Sequence, residues 1–260
     1  AEVKFNLCPL ATSPNLSTGS APIATVTADF DHDGDADLAV ANNGATTVSV
    51  LRGNGNGTFA AGVAYTAAGN PTCLALSDID LDGHVDLLVG TALDSALWVL
   101  RGNGDGTFAA GVRTPLNAQP SGIAIADFDE DGANDLVVAG YLGGLLTLRG
   151  HLTAGVPDGT FEAPVTVPVS AQTRQVIVGD FNEDGIWDLA TTASGLKVLL
   201  GQGTGGVGNG TFGAAASYNA GGTPWDLASA DFNLDGIADL AVANSGASSV
   251  SMFLGAGSAG

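Results

Sequence analysis

Asp29-Phe30-Asp31-His32-Asp33-Gly34-Asp35-Ala36-Asp37-Leu38 is a ten-residue segment that returns four more times along the chain of 260 residues. The later copies read DIDLDGHVDL from Asp78, DFDEDGANDL from Asp127, DFNEDGIWDL from Asp180 and DFNLDGIADL from Asp231. Their first residues lie 49, 49, 53 and 51 positions apart. A fixed period of that size marks a repeat architecture. A second element keeps step with the first: Asn/Asp-Gly-Thr-Phe recurs at Asn56–Phe59, Asp105–Phe108, Asp158–Phe161 and Asn209–Phe212, with no copy in the fifth repeat.

Around these landmarks the chain alternates short apolar runs with turn residues. Ile23–Ala28, Cys73–Ser77 and Ile123–Ala126 lead into the acidic segment. Leu38–Ala41, Leu87–Gly90 and Leu136–Ala139 leave it, and Val48–Leu51, Leu97–Leu100 and Leu145–Leu148 follow. A fourth run begins at each Thr-Phe. Runs this short, bounded by Gly, Asn and Asp, predict strands, and no window carries the period of an amphipathic helix. Four strands per repeat of this length predict an all-β propeller of five four-stranded antiparallel blades. A solenoid stack of the same repeats is the alternative. The expected organisation is one domain over 1–260, with repeats at about 21–69, 70–118, 119–171, 172–221 and 222–260. The last repeat lacks its outer strand. Residues 1–20, which open with Val3, Phe5 and Leu7 in alternation, are expected to supply it and cover the sheet edges that an open ring would expose.

Composition narrows the function. Apolar residues make up 45% of the chain, enough to fold, while 27 Asp and Glu stand against 7 Lys and Arg for a net charge of −20. So few cations supply no basic patch for phosphates, which argues against nucleic acid, and an acidic membrane surface would repel the chain. No apolar run has the length of a membrane span. The N-terminus does not read as a signal peptide, so an exported protein would be represented here in mature or excised form. Cys8 and Cys73 are either one bridge or two buried thiols.

The acid is concentrated in the five segments. Positions one, three, five and nine of each segment supply alternate oxygen atoms from a tight loop, and Gly at position six permits the sharp turn. Without a cation, carboxylates gathered this closely repel one another, whereas turn formation alone needs only Asp and Gly. Oxygen-only ligation favours calcium over zinc. The expected ligands are Asp29, Asp31, Asp33, Asp35 and Asp37 in the first loop, and Asp78, Asp80, Asp82, His84 and Asp86 in the second. They continue as Asp127, Asp129, Asp131, Ala133 and Asp135, then Asp180, Asn182, Asp184, Ile186 and Asp188, then Asp231, Asn233, Asp235, Ile237 and Asp239. The variable position seven (Asp35, His84, Ala133, Ile186, Ile237) needs to offer only its backbone carbonyl. Asn182 and Asn233 remove one charge each and weaken the last two loops. Up to five calcium ions are expected, which would bring a net charge of −20 to −10.

With DFDxDGxxDL and NGTF in register over nearly the whole chain, the sequence resembles the FG-GAP or VCBS-type repeats of integrin α-subunit propellers and of many secreted bacterial and fungal proteins. That resemblance implies a propeller with one structural calcium per loop, a secreted or extracellular setting, and a role in adhesion or ligand binding. Some similar propellers are lectins and others accompany polysaccharide-degrading enzymes. Relatives commonly have seven or eight blades, so five is a departure, and the chain is expected to be either a minimal propeller or a piece of a larger one.

No catalytic constellation stands out. His32 and His84 lie inside acidic loops, His151 lies in an insert, and no Gly-x-Ser-x-Gly element is present. The protein is therefore expected not to be an enzyme. Binding residues are sought on the face opposite the acidic loops, at the starts of the inner strands: Ile23-Ala24, Thr72-Cys73, Ser121-Gly122, Arg174-Gln175 and Trp225-Asp226. Turns between second and third strands should share that face, at Asn42-Asn43, Asp94, Tyr141, Ser194 and Asn244-Ser245. Trp225, Asp226, Arg174, Gln175 and Tyr141 are the candidate ligand-binding residues. An indole beside a carboxylate suits a sugar, whose apolar face stacks while its hydroxyls donate. Trp98 is read as packing between blades, and Trp187 as shielding an ion or protruding. Arg52, Arg101 and Arg149 are read as structural ion pairs, with a ring for acidic ligands as the alternative. A lectin-like module is the favoured function. A protein-adhesion or spacer domain, or part of a polysaccharide-active enzyme, is the alternative.

Overall fold

The computed structural model describes residues 15–169 and 172–256. All of its regular structure is β. The first sheet contains β1 (Pro22–Ala28), β2 (Asp37–Asn42), β3 (Thr47–Leu51) and β4 (Val63–Thr66), hydrogen-bonded in that order. The second repeats it with β5 (Pro71–Ser77), β6 (Asp86–Thr91), β7 (Ala96–Leu100) and β8 (Val112–Pro115). The third contains β9 (Pro120–Ala126), β10 (Asp135–Gly140) and β11 (Gly144–Leu148). It then makes a side hairpin, β12 (Gly150–Thr153) with β13 (Val156–Phe161), before its outer strand β14 (Val165–Val167). The fourth follows the same plan with β15 (Val176–Gly179), β16 (Asp188–Thr192), β17 (Leu196–Leu199), the hairpin β18 (Gly201–Thr204) and β19 (Val207–Phe212), and β20 (Ala216–Tyr218). The fifth holds β21 (Pro224–Ala230), β22 (Asp239–Asn244) and β23 (Ser249–Phe253). The Thr-Phe element thus closes a short side hairpin, and the outer strand comes a few residues later.

The sheets are the blades of a propeller, and the inner strands pack in order: β1 on β5, β5 on β9, β9 on β15, β15 on β21. The core is a series of layers between neighbouring blades. Val48 and Val50 meet Leu87, Val89 and Phe108 between the first two, and Leu88, Leu97 and Val99 meet Leu136, Val138 and Leu146 between the next two. Val137 and Leu145 then meet Leu189 and Leu199, and Ala190 and Leu196 meet Leu227, Leu240 and Val242. Middle strands are therefore covered on both faces, which explains why β6 and β10 read as continuous apolar runs instead of alternating. Trp98 packs in the first of these layers and donates its indole N–H to Asp94, as its assignment to packing expected.

Blade 5 has three strands among the described residues. Residues 1–14, which hold most of the segment expected to complete it, lie outside the described residues. Residues 15–20 carry no strand and follow blade 1: Gly19 N–H donates to Asn42 Oδ1 at 2.9 Å and Gly44 N–H to the Ser20 carbonyl at 3.0 Å. Cys73 is buried, and desolvation pushes its thiol up to about 12. Cys8, its proposed partner, also lies outside the described residues.

Candidate functional site

The five acidic segments form five loops of one shape, each joining the inner strand of a blade to the second. The position-six glycines have φ between 84° and 92°, in the left-handed region that residues without a Cβ enter cheaply. Position four is left-handed as well, at His32, Leu81, Glu130, Glu183 and Leu234, with φ between 55° and 63°. These are strained positions for ordinary residues, and nothing in their varied identities announced it. The strain is held by the first Asp of each loop. In the first loop, Asp29 accepts the Asp33 N–H at 3.2 Å on Oδ1 and the Gly34 N–H at 2.9 Å on Oδ2. The other four loops repeat the pair.

Position nine does a second job that the spacing did not reveal. Asp37, Asp86, Asp135, Asp188 and Asp239 are buried, and both oxygens of each accept backbone N–H groups. Asp86 Oδ2 takes the Ile79 N–H at 3.0 Å and Oδ1 takes the Gly102 N–H at 2.8 Å, which ties the loop to the end of the third strand. Burial still dominates the titration of Asp86 and Asp135, raising each to about 6 against the hydrogen bonds that lower it. Position seven donates its N–H to position five, as Ala133 does to Asp131 at 2.8 Å. The side chains of His84 and Ile237 lie directly against Gly104 and Gly255.

Position three separates the loops into two kinds. In the first three, one oxygen of the Asp pairs with an arginine: Asp31 with Arg52 at 3.7 Å, Asp80 with Arg101 at 3.3 Å, Asp129 with Arg149 at 2.9 Å. The other oxygen, Oδ1 of Asp31, Asp80 and Asp129, is buried with no hydrogen-bond partner among the described residues. Burial, with Asp33 and Asp131 as the nearest like charges, holds the Asp31 and Asp129 carboxyls above the usual range. In the same three loops Asp29, Asp31 and Asp33, then Asp78, Asp80 and Asp86, then Asp127, Asp129 and Asp135 bring oxygens within 4.8 Å of one another. A buried lone pair facing other carboxylates fits a hard cation, because burying it unpaired is costly. The last two loops differ. Asn182 and Asn233 donate to the position-five carboxylates of Asp184 and Asp235, at 3.0 and 2.8 Å, so each loop carries one negative charge fewer and has one carboxylate oxygen already hydrogen-bonded. The arginine is replaced there by Leu200 and Leu254.

The recurring arginines are structural ion pairs, and they also reach the next blade. Arg149 Nη2 donates to the Asn209 carbonyl at 2.7 Å, and Arg101 Nη2 to the Asp158 carbonyl. The side hairpin of one blade therefore covers the acidic loop of the blade before it. Its Phe completes the contact: Phe108 meets Phe30 edge-on at 5.2 Å and Phe212 meets Phe128 at 5.3 Å. Blade 5 has no such hairpin among the described residues. A cleft remains there, lined by Phe181, Leu200, Tyr218, Phe253 and Leu254.

At the opposite end of the inner strands lies a cavity of about 500 Å³ on the propeller axis. Its lining includes Ile23, Thr72, Ser121, Arg174 and Trp225, one residue at equivalent positions of each blade. In four blades this residue sits at a register shift: between Pro22 and Ala24, Pro71 and Cys73, Pro120 and Gly122, and Pro224 and Asp226. A bulge re-aims the side chain, here toward the axis. In blade 4 buried Thr173 replaces the proline, and Arg174 is anchored by its N–H to the Thr192 carbonyl at 3.0 Å. All five candidate ligand-binding residues, Trp225, Asp226, Arg174, Gln175 and Tyr141, line this cavity. Of the second set of turns only Tyr141 reaches it: Asn42 is tied to Ser49, Asp94 to Arg113 and Asn244 to Ser251. One expectation changes. The Arg174 guanidinium lies over the Trp225 ring at 4.1 Å and over Tyr141 at 4.9 Å, so that indole face is not open to a sugar. Trp187 is 46% exposed, so it protrudes.

Repeated blades, each with an acidic loop and the first three with that loop capped by the following blade's hairpin, define a β-propeller of tandem acidic-loop repeats. The FG-GAP-like repeat model matches residues 29–89 and 78–138, and the FG-GAP repeat model matches 223–260. The chain belongs to the FG-GAP repeat family. Among solved structures it is similar to an Agrocybe aegerita lectin that recognises non-reducing terminal N-acetylglucosamine, with 22% identity and a TM-score of 0.58, covering 90% of this chain and 63% of that one. It is also similar to BBS1N in complex with ARL6DN, with 15% identity and a TM-score of 0.56, covering 88% of this chain and 63% of that one. The chain thus spans a little under two thirds of each neighbour, and the likeness is one of fold. No curated protein matches it in sequence.

Proposed function

We propose that this protein is a non-catalytic, extracellular binding module, a propeller stabilised by calcium, whose ligands are glycans. The observation that carries the reading is the axial cavity. Equivalent positions from five blades converge there, and the repeat is broken at Arg174 and Trp225 by large polar and aromatic groups. The cavity's volume is in the range of small-ligand sites. The similarity to a lectin supports glycan as the class. For calcium, the orphaned oxygens of Asp31, Asp80 and Asp129 support three ions, in the first three loops. Bound there, calcium would neutralise the clustered carboxylates and stiffen the loop face.

The three histidines support the non-catalytic reading. His32 and His84 contact one another in the acidic loops, and His151 pairs with Asp158, to whose carboxylate the hydroxyls of Thr153 and Thr160 donate. A protein partner is the second reading, favoured by the exposed flank of blade 5, where Val250 and Met252 face outward. A glycan array in calcium, with a chelated control, tests the proposal. Selective hits lost on chelation support a calcium-dependent glycan-binding module, and a blank array with folded, calcium-loaded protein moves the function to a protein partner.

A further inference from the structure

Of the five arginines, four pair with Asp: Arg52, Arg101, Arg113 and Arg149. Arg174 makes no ion pair, and its guanidinium donates no hydrogen bond, to any described residue of a chain that carries 27 acidic groups. It is nonetheless fixed. Its backbone is bonded to Thr192, and its guanidinium carbon lies over the rings of Trp225 and Tyr141. Stacking of this kind restrains the guanidinium while leaving its edge, with five N–H donors, free to meet a planar acceptor. The bulge residues of blades 2 and 3 behave differently. The Thr72 hydroxyl donates to the Pro120 carbonyl at 2.6 Å and the Ser121 hydroxyl to the Thr173 carbonyl at 3.1 Å, so each ties its blade to the next. At the same position blade 4 offers a cation whose donors are not used that way.

We infer that the axial cavity takes a carboxylate-bearing sugar, with the carboxylate received by Arg174 beside the neutral donors of Gln119 and Gln175. This rests on the binding-module reading and names the ligand class within it. The net charge of −20 does not forbid an anion at this place. The acidic loops lie at the far ends of the inner strands, and the six residue-to-residue steps from Arg174 to Asp180 span roughly 20 Å at about 3.3 Å each. That is more than twice the screening length of about 8 Å at physiological salt. Asp226 stands at the same mouth, where its Oδ1 accepts the Leu227 N–H, and it is placed to accept sugar hydroxyls.

The test uses trigalacturonic acid and its neutral methyl ester, titrated into calcium-loaded protein while the indole N–H signals of the three tryptophans are followed by NMR. The acid is expected to bind at least tenfold more tightly than the ester and to shift the Trp225 signal, assigned with Trp225→Phe. Arg174→Gln is expected to lower affinity for the acid about 10- to 100-fold, the worth of one charge-assisted pair, while Arg174→Lys keeps part of it. Equal binding of acid and ester, or undiminished binding by a folded Arg174→Gln, overturns the inference and leaves a neutral-glycan module standing. If Arg174→Gln does not fold, the comparison of acid with ester on the native chain decides alone. An acetylated tripeptide with a free C-terminal carboxylate that binds as tightly as the acid overturns the assignment to sugars. Absence of binding by every saccharide on an array overturns the module reading and this inference together.

Discussion

Removing calcium should destabilise the protein in a way that depends on pH. At millimolar calcium, a site with a dissociation constant of about 10 μM contributes about 2.7 kcal/mol, so three sites contribute about 8 kcal/mol. Unfolding a domain of 260 residues releases about 0.55 kcal/mol per degree, so the melting temperature should fall about 15 °C on chelation at pH 7. The carboxyls add a pH signature. Asp86 and Asp135 are held at about 6 in the metal-free fold, mainly by burial, above their ordinary 3.8. The folded state then binds more protons than the unfolded state between about pH 4 and 6, so metal-free stability falls as pH rises through that window. Each group costs the metal-free protein at most about 3 kcal/mol at pH 7. Calcium reverses the sign, because an ion favours the ionised carboxylates and protons below pH 6 compete with it. The assay is a melt with and without chelator at pH 5 and pH 7, with ion content checked by elemental analysis. A large gap at pH 7 that narrows at pH 5 is expected. An unchanged melt at pH 7 in verified metal-free protein would refute the reasoning, as would a gap equal at both pH values.

Two further outcomes test the same architecture. The double variant Asn182→Asp with Leu200→Arg installs in loop four the pair seen at Asp80 and Arg101; it should raise bound calcium from three ions to four by elemental analysis, and an unchanged count would sink the assignment of loop type to position three. Phe108→Ala removes the ring that meets Phe30 and Tyr65 at the seam of blades 1 and 2; urea denaturation should show a loss of about 3–4 kcal/mol, and a loss under 1 kcal/mol would mean that the hairpin does not staple the blades.

What was legible in the sequence is what every blade must solve in the same way. Asp at positions one and nine and Gly at position six answer backbone demands that recur five times, so their spacing exposed the loops, the strands around them and the face on which acid collects. The left-handed position four escaped notice because the loop imposes that conformation on His, Leu and Glu alike, with no residue type to signal it. The bulges at the axis had a faint signal, a proline before the inner strand at Pro22, Pro71, Pro120 and Pro224, but a proline alone does not say that the next side chain turns inward. Arg174 and Trp225 were found as breaks in the alignment, yet their stacking on each other could not be, since it depends on two blades meeting. The same contrast separates scaffold from function. A position kept through all blades serves the repeat, whereas one that departs in a single blade is free of that duty. Departures that converge on one cavity, as Arg174, Trp225 and Tyr141 do, therefore mark where this propeller differs from a spacer built of the same blades. Changing them should alter binding while leaving the calcium-dependent melt in place.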